Sequence, residues 1–133
     1  MRLTLDVVPT PQKRPKFCRI GNKVRAIDPS KREKNAIRSL LHAIWFHDPL
    51  EAPIEIYVTF YVPIPKSFSK KKKERAEEDL IKPTVKPDID NYLKLLLDAC
   101  NGILYRDDAL IVSIHCQKRY SQNPRIDLKI QTI

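Results

Sequence analysis

Residues Lys86 to Asp108, KPDIDNYLKLLLDACNGILYRDD, restrict the fold more than any other stretch of the chain. Pro87 stops a helix arriving from the N-terminal side, Asp88 stands where an N-cap belongs, and Gly102 stands where a C-cap glycine belongs. The spacing therefore predicts a helix from Asp88 to about Asn101. Asp90, Asn91, Lys94, Asp98 and Asn101 gather on its polar side. Ile89, Leu93, Leu96, Leu97 and Cys100 form an apolar stripe, which Tyr92, Leu95 and Ala99 widen well beyond the roughly 100° that a simple surface helix needs. Such a helix requires more than one packing partner, and a two-fold copy of the chain would provide one.

The ends of this segment carry its chemistry. At a helix start the free N–H groups and the positive end of the dipole favour ionised carboxylates, which suits Asp88 and Asp90 to a cation site. A second pair, Asp107-Asp108, stands just before the β-branched run Ile111, Val112, Ile114. The two pairs can converge if strand and helix pack together. Ligands made only of oxygen suit Mg²⁺ or Mn²⁺, and four carboxylates could hold two ions about 4 Å apart, an arrangement suited to attack on a phosphodiester. Taken singly, each pair has a plainer explanation, as helix caps and as a turn. Their combination with Asn91 and Lys94, in a chain of opposite overall charge, favours the metal reading.

Lys and Arg number 25 against 16 Asp and Glu, a formal charge of +9 with a pI near 9.6. That excess in one domain of 133 residues predicts attraction to nucleic acid or an anionic membrane. No apolar run approaches the roughly 18 residues needed to span a bilayer. MRLTLDVVPT, interrupted by Asp6, does not read as a signal peptide, so the expected compartment is the cytoplasm. Cys18, Cys100 and Cys116 lack paired spacing and read as reduced thiols; His42, His47 and His115 show no zinc pattern.

Along the chain, residues 3–8 predict a strand, and Gly21-Asn22 predicts a hairpin or ordered loop. This loop region holds Lys13, Arg14, Lys16, Arg19, Lys23 and Arg25 with no acid among them, so it is a candidate grip on phosphates. Ser30 to about His47 has helical periodicity, with Trp45 in the core and Lys31, Arg32, Lys34 and Arg38 crowding the first half. Ala52 to Pro63 alternates as a strand, with Tyr57 and Tyr61 on its second face. Ser67 to Leu80 reads as an exposed, mobile charged helix capped by Ser67 or Ser69. Its Lys70, Lys71, Lys72 and Lys73 precede Glu77-Glu78-Asp79, against the helix dipole, and that favours a DNA-contacting arm. Two last strands, Ala109 to Tyr120 and Arg125 to Ile133, flank a turn at Gln122-Asn123-Pro124. The expected fold is a single α+β domain over residues 1–133, a mixed sheet with helices mainly on one face.

The run Lys86-Pro87-Asp88-Ile89-Asp90-Asn91, followed by Lys94, Leu97-Asp98-Ala99, Asn101-Gly102 and Asp107-Asp108, resembles the RusA family of Holliday-junction resolvases. The likeness extends to Lys13-Arg14-Pro15, to Pro65-Lys66-Ser67 and to the final strands, and so covers nearly the whole chain. It implies a homodimer that nicks two opposed strands of a four-way DNA junction in recombination and repair, leaving 5′-phosphate and 3′-hydroxyl ends. Asp88, Asp90 and Asp108, with Asp107 beside them, then become ligands of Mg²⁺, or of Mn²⁺ as a substitute. Lys94 carries over as the family's catalytic lysine, and Lys86 joins the DNA-binding residues. No membrane partner and no cofactor beyond the metal is expected. Small members are often prophage-borne, so a prophage source fits. The competing classes are a noncatalytic, architectural DNA-binding protein, a nuclease for flaps or forks, and a Mn²⁺-dependent nucleotide-sugar transferase, which so short and basic a chain disfavours.

Overall fold

The computed structural model describes residues 1–133. Its sheet is organised around β4 (Ile54–Pro63), the segment whose alternation is cleanest. Ile54, Ile56, Val58, Phe60 and Val62 are all buried on one face. Glu55, Tyr57, Thr59 and Tyr61 occupy the other, as the period of two requires. β4 pairs in parallel with β5 (Ile111–Ser121) and antiparallel with β6 (Arg125–Thr132), and β1 (Arg2–Leu5) adds antiparallel to β6. The order β1-β6-β4-β5 makes a mixed sheet and leaves β5 as an edge. β2 (Lys16–Ile20) and β3 (Lys23–Ile27) form a separate antiparallel hairpin around Gly21, whose φ of +61° places it in the left-handed region that glycine tolerates.

The helices are α1 (Lys31–Ile44), α2 (Lys70–Glu77) and α3 (Ile89–Cys100). Ile37 and Leu41 of α1 and Tyr92, Leu95, Leu96 and Ala99 of α3 join the buried face of β4 in one core. The α+β class and the one-sided helices are therefore as the pattern predicts. α1 stops at Ile44, ahead of the expected His47, because Trp45 turns extended and buries its ring. Ser69 caps α2, accepting a bond from the Lys72 amide at 3.2 Å.

α2 is tied down more firmly than its charge suggests. Ala76 is fully buried, and Phe68 meets Tyr120 edge to face. The Glu77 carboxylate accepts from the Gln122 amide at 2.6 Å and from Ser121 Oγ at 3.2 Å. The acid at the unfavourable end of the dipole is thus an anchor to the β5–β6 turn, which offsets its placement.

Because β4 and β5 are parallel, the chain leaving β4 at Pro63 must return to the far end of the sheet before β5 begins. α3 makes that return and runs antiparallel to both strands. Near its start Tyr92 stacks on Phe60, late in β4, with centroids 5.4 Å apart. Beyond its end Tyr105 bridges Leu50, just ahead of β4. This direction decides where each acid lies.

Candidate active site

Asp88 occupies the N-cap position of α3 (φ −68°, ψ 149°), but its side chain makes no capping bond. It turns instead to Lys86, whose Nζ donates to Oδ1 at 2.7 Å. The Lys86 hydrogen bond and charge, helped by Lys118, hold the Asp88 carboxyl below its ordinary range. Lys118 Nζ in turn donates to the Val85 carbonyl at 2.8 Å and the Pro87 carbonyl at 2.9 Å, fixing the peptide that leads into Asp88. Asp90 is exposed one residue into the helix. Lys94 does not pair back to Asp90; its Nζ lies 3.9 Å from Asp98, and its side chain is 65% exposed. Asp98 also receives Lys34 at 3.4 Å, which ties α1 to α3.

Asn91 ties a second segment to the start of α3 through its backbone. Its backbone carbonyl accepts from the Gln12 amide at 3.0 Å, and the next amide, Lys13, donates to the buried Ser30 Oγ at 2.9 Å. The stem of the β2–β3 hairpin is therefore fixed directly beside Asp88 and Asp90. Lys13, Arg14, Lys16 and Arg19 are exposed on that stem and hairpin, and Lys70, Lys71 and Lys72 are exposed on α2, with Lys73 half-buried. α2 begins just beyond the end of β4, so both basic elements share the end of the sheet that holds Asp88.

Asp107 and Asp108 lie elsewhere. Both are exposed at the single 3₁₀ turn Asp108–Leu110 that opens β5. The buried Tyr105 binds this turn to the last turn of α3, its hydroxyl donating to the Leu97 carbonyl at 2.6 Å. Burial first, and then the charges of Cys100, Asp108, Asp98 and Asp107, push the Tyr105 hydroxyl far above its ordinary range. The second acid pair is thus a neighbour of the C-terminal end of α3. Ten helical residues follow Asp90 before α3 ends at Cys100, about 15 Å of rise. The expected convergence of the four carboxylates does not occur within the chain: no group of three His, Cys, Asp or Glu side chains there could hold a metal ion. Helix and strand do pack together, but their starts lie at opposite ends.

Two of the basic residues crowding α1 have structural partners. Lys34 Nζ lies 2.7 Å from Asp28, and Arg38 donates to the Ala99 and Asp98 carbonyls at 3.1 and 3.2 Å, closing the C-terminus of α3. Lys118 is the site residue that sequence reasoning missed. Its signal is its phase: on β5 it follows Ile114 and Cys116 on the helix-facing side, where alternation asks for an apolar residue. Cys100 is buried, and burial raises its thiol to about 12.

Exposed Asp88 and Asp90 thus share one end of the sheet with Lys86, Lys118 and two basic segments. Comparison with known proteins gives the class. The model of the endodeoxyribonuclease RusA family matches residues 6–131, and the chain belongs to that family of endonucleases, which resolve Holliday junctions and act on branched DNA. A protein of Bacillus subtilis (strain 168), named "Uncharacterized protein YqaN", is 38% identical over 138 residues, covering 100% of this chain and 96% of its own length.

Proposed function

We propose that two copies of the chain form a two-fold dimer that nicks opposed strands of a four-way DNA junction in recombination and repair. Each active site combines Asp88 and Asp90 of one protomer with Asp107 and Asp108 of the other. The observation that carries this reading is the position of the two acid pairs at opposite ends of α3. Between them α3 leaves Ile89, Leu93 and Leu97 only partly covered, and on the adjoining edge strand Val112 and Ile114 are exposed. Packing this stripe against its own two-fold image, with the helices antiparallel, sets the start of each α3 beside the end of the other. It also covers the free edge of β5, an eleven-residue strand with a row of unpaired backbone groups.

The donor set is hard oxygen throughout and suits Mg²⁺, with Mn²⁺ as substitute, although neither pair alone approaches the six ligands of that ion. A bound ion would lower the pKa of a water and neutralise charge on the scissile phosphate. Lys86 keeps Asp88 ionised for that purpose, and Lys118 fixes the backbone ahead of it. Lys94, exposed one turn beyond Asp90, meets a phosphate oxygen and stabilises the charge that develops there. In-line attack leaves a 5′-phosphate and a 3′-hydroxyl. Lys13, Arg14, Lys16 and Arg19 on one arm, Lys70 to Lys73 on the other, and Lys86 hold the phosphate backbone.

Asp88→Asn, Asp90→Asn and Asp108→Asn test this reading. Each removes a negative charge facing DNA, so junction binding should be kept or tightened while cleavage is lost. Full activity in Asp108→Asn, or loss of binding in Asp88→Asn, would refute the assignment.

A further inference from the structure

The β2–β3 hairpin presents apolar side chains that the fold leaves without a partner. Phe17 is 74% and Val24 66% exposed, and Ile20 and Ile27 are also open to solvent. Directly opposed residues of an antiparallel pair share a face, so Phe17, Ala26, Val24 and Arg19 form one side of the ribbon. The other side alternates Lys16, Arg25 and Lys23 with Ile27, Cys18 and Ile20. Each strand has five residues, so the ribbon reaches about 17 Å from its stem. That stem is bonded to Asn91, next to Asp90.

We infer that this ribbon is a wedge: its cations follow the phosphates while Phe17, supported by Val24, enters the base stack at the branch point. The inference deepens the junction reading given above and rests on it. Charge selects the occupant. Six cations and no acid lie between Lys13 and Ile27, so a second copy of the hairpin is repelled and a polyanion is attracted. Shape selects the place. Inserting a ring between stacked pairs of a continuous duplex costs their stacking energy, whereas at a four-way branch the stack is already interrupted. The same side chain thus finds a junction cheaper to enter than a duplex, which makes Phe17 a specificity-determining residue whose stem adjoins the acid pair.

The test uses a four-way junction with 2-aminopurine at the branch point, in EDTA so that no strand is cut. Wild-type protein should raise the fluorescence as the base unstacks. Phe17→Ala, a change at an exposed position, should lose most of that rise. Its preference for junction over linear duplex should fall by about tenfold, the order expected for one lost ring–base stack. Phe17→Trp should restore both. Unchanged fluorescence and preference in Phe17→Ala would overturn the wedge, as would conversion of dimer to monomer by that substitution in sedimentation, which would make the patch an interface between copies. The two readings fail separately. A wild-type protein that opens the junction without cutting it in Mg²⁺ contradicts the nuclease mechanism and supports the wedge. One that cuts while Phe17→Ala behaves as wild type contradicts the wedge alone.

Discussion

Mixing two inactive variants should restore cleavage. Asp90→Asn spoils the acid pair at the start of α3, and Asp108→Asn spoils the pair beyond its end. From Asp90 the helix runs ten further residues, about 15 Å, so no ion bound at about 2.0–2.1 Å to its ligands touches both pairs of one chain. In a mixed dimer one composite site receives both substitutions and the other receives neither. After equal mixing and protomer exchange, half the dimers are mixed, each with one intact site, so about a quarter of the wild-type site count returns. A labelled junction incubated with Mg²⁺ reads this directly, and the products should be single nicks, since one site per dimer is dead. Sites contained within one chain would give a mixed dimer with no intact site and no recovery. Absence of recovery, with exchange verified by co-purification of differently tagged protomers, would refute the composite site.

Three further perturbations follow from the same contacts. Lys86 lowers the Asp88 pKa by hydrogen bond and charge, so Lys86→Met should let it rise towards its ordinary value. The acid limb of the pH profile for nicking then moves to higher pH. The sign for stability is consistent: a depressed carboxylate pKa contributes above its unfolded value and is lost as pH falls through the folded one. Because the Asp88 side chain is 51% exposed, solvent screens that contribution and the activity profile is the sensitive readout. Lys118→Met releases the Val85 and Pro87 carbonyls and should reduce the turnover number for nicking while leaving junction affinity nearly unchanged, separable by single-turnover kinetics and gel shift. Arg38→Ala opens the C-terminus of α3; losing its bonds to the Ala99 and Asp98 carbonyls should cost about 1–2 kcal/mol in thermal melts.

Much of this architecture is legible in residue order. The alternation of Ile54 to Val62 marks the central strand, Pro87 and Gly102 bracket α3, and Gly21-Asn22 marks the hairpin. The width of the apolar surface on α3 is also visible before any coordinates, as is the need for a further packing surface. What local pattern cannot supply is the relative direction of β4 and β5. Had they been antiparallel, the acids at the start of α3 and those at the start of β5 would not be forced to opposite ends. The parallel pairing makes α3 a return stroke and separates them. The fate of individual charges was hidden for a similar reason. Arg38 and Lys34 look like an unfavourable crowd of cations at a helix start until α3 brings backbone carbonyls and Asp98 to them. Glu77 looks misplaced on its helix until the β5–β6 turn supplies its donors. Asp88 reads as a cap by position, and only the geometry shows its carboxylate turned away to Lys86.

The most direct test of the whole account is cleavage of an end-labelled four-way junction by the wild-type protein, beside linear duplex and flap controls, with Mg²⁺ and with EDTA. The expected products are paired, symmetric nicks in opposed strands, confined to the junction, dependent on the metal and bearing 5′-phosphates. Tight junction binding with no cutting in either Mg²⁺ or Mn²⁺ would contradict the account and return Asp88, Asp90, Asp107 and Asp108 to the roles of helix start and turn.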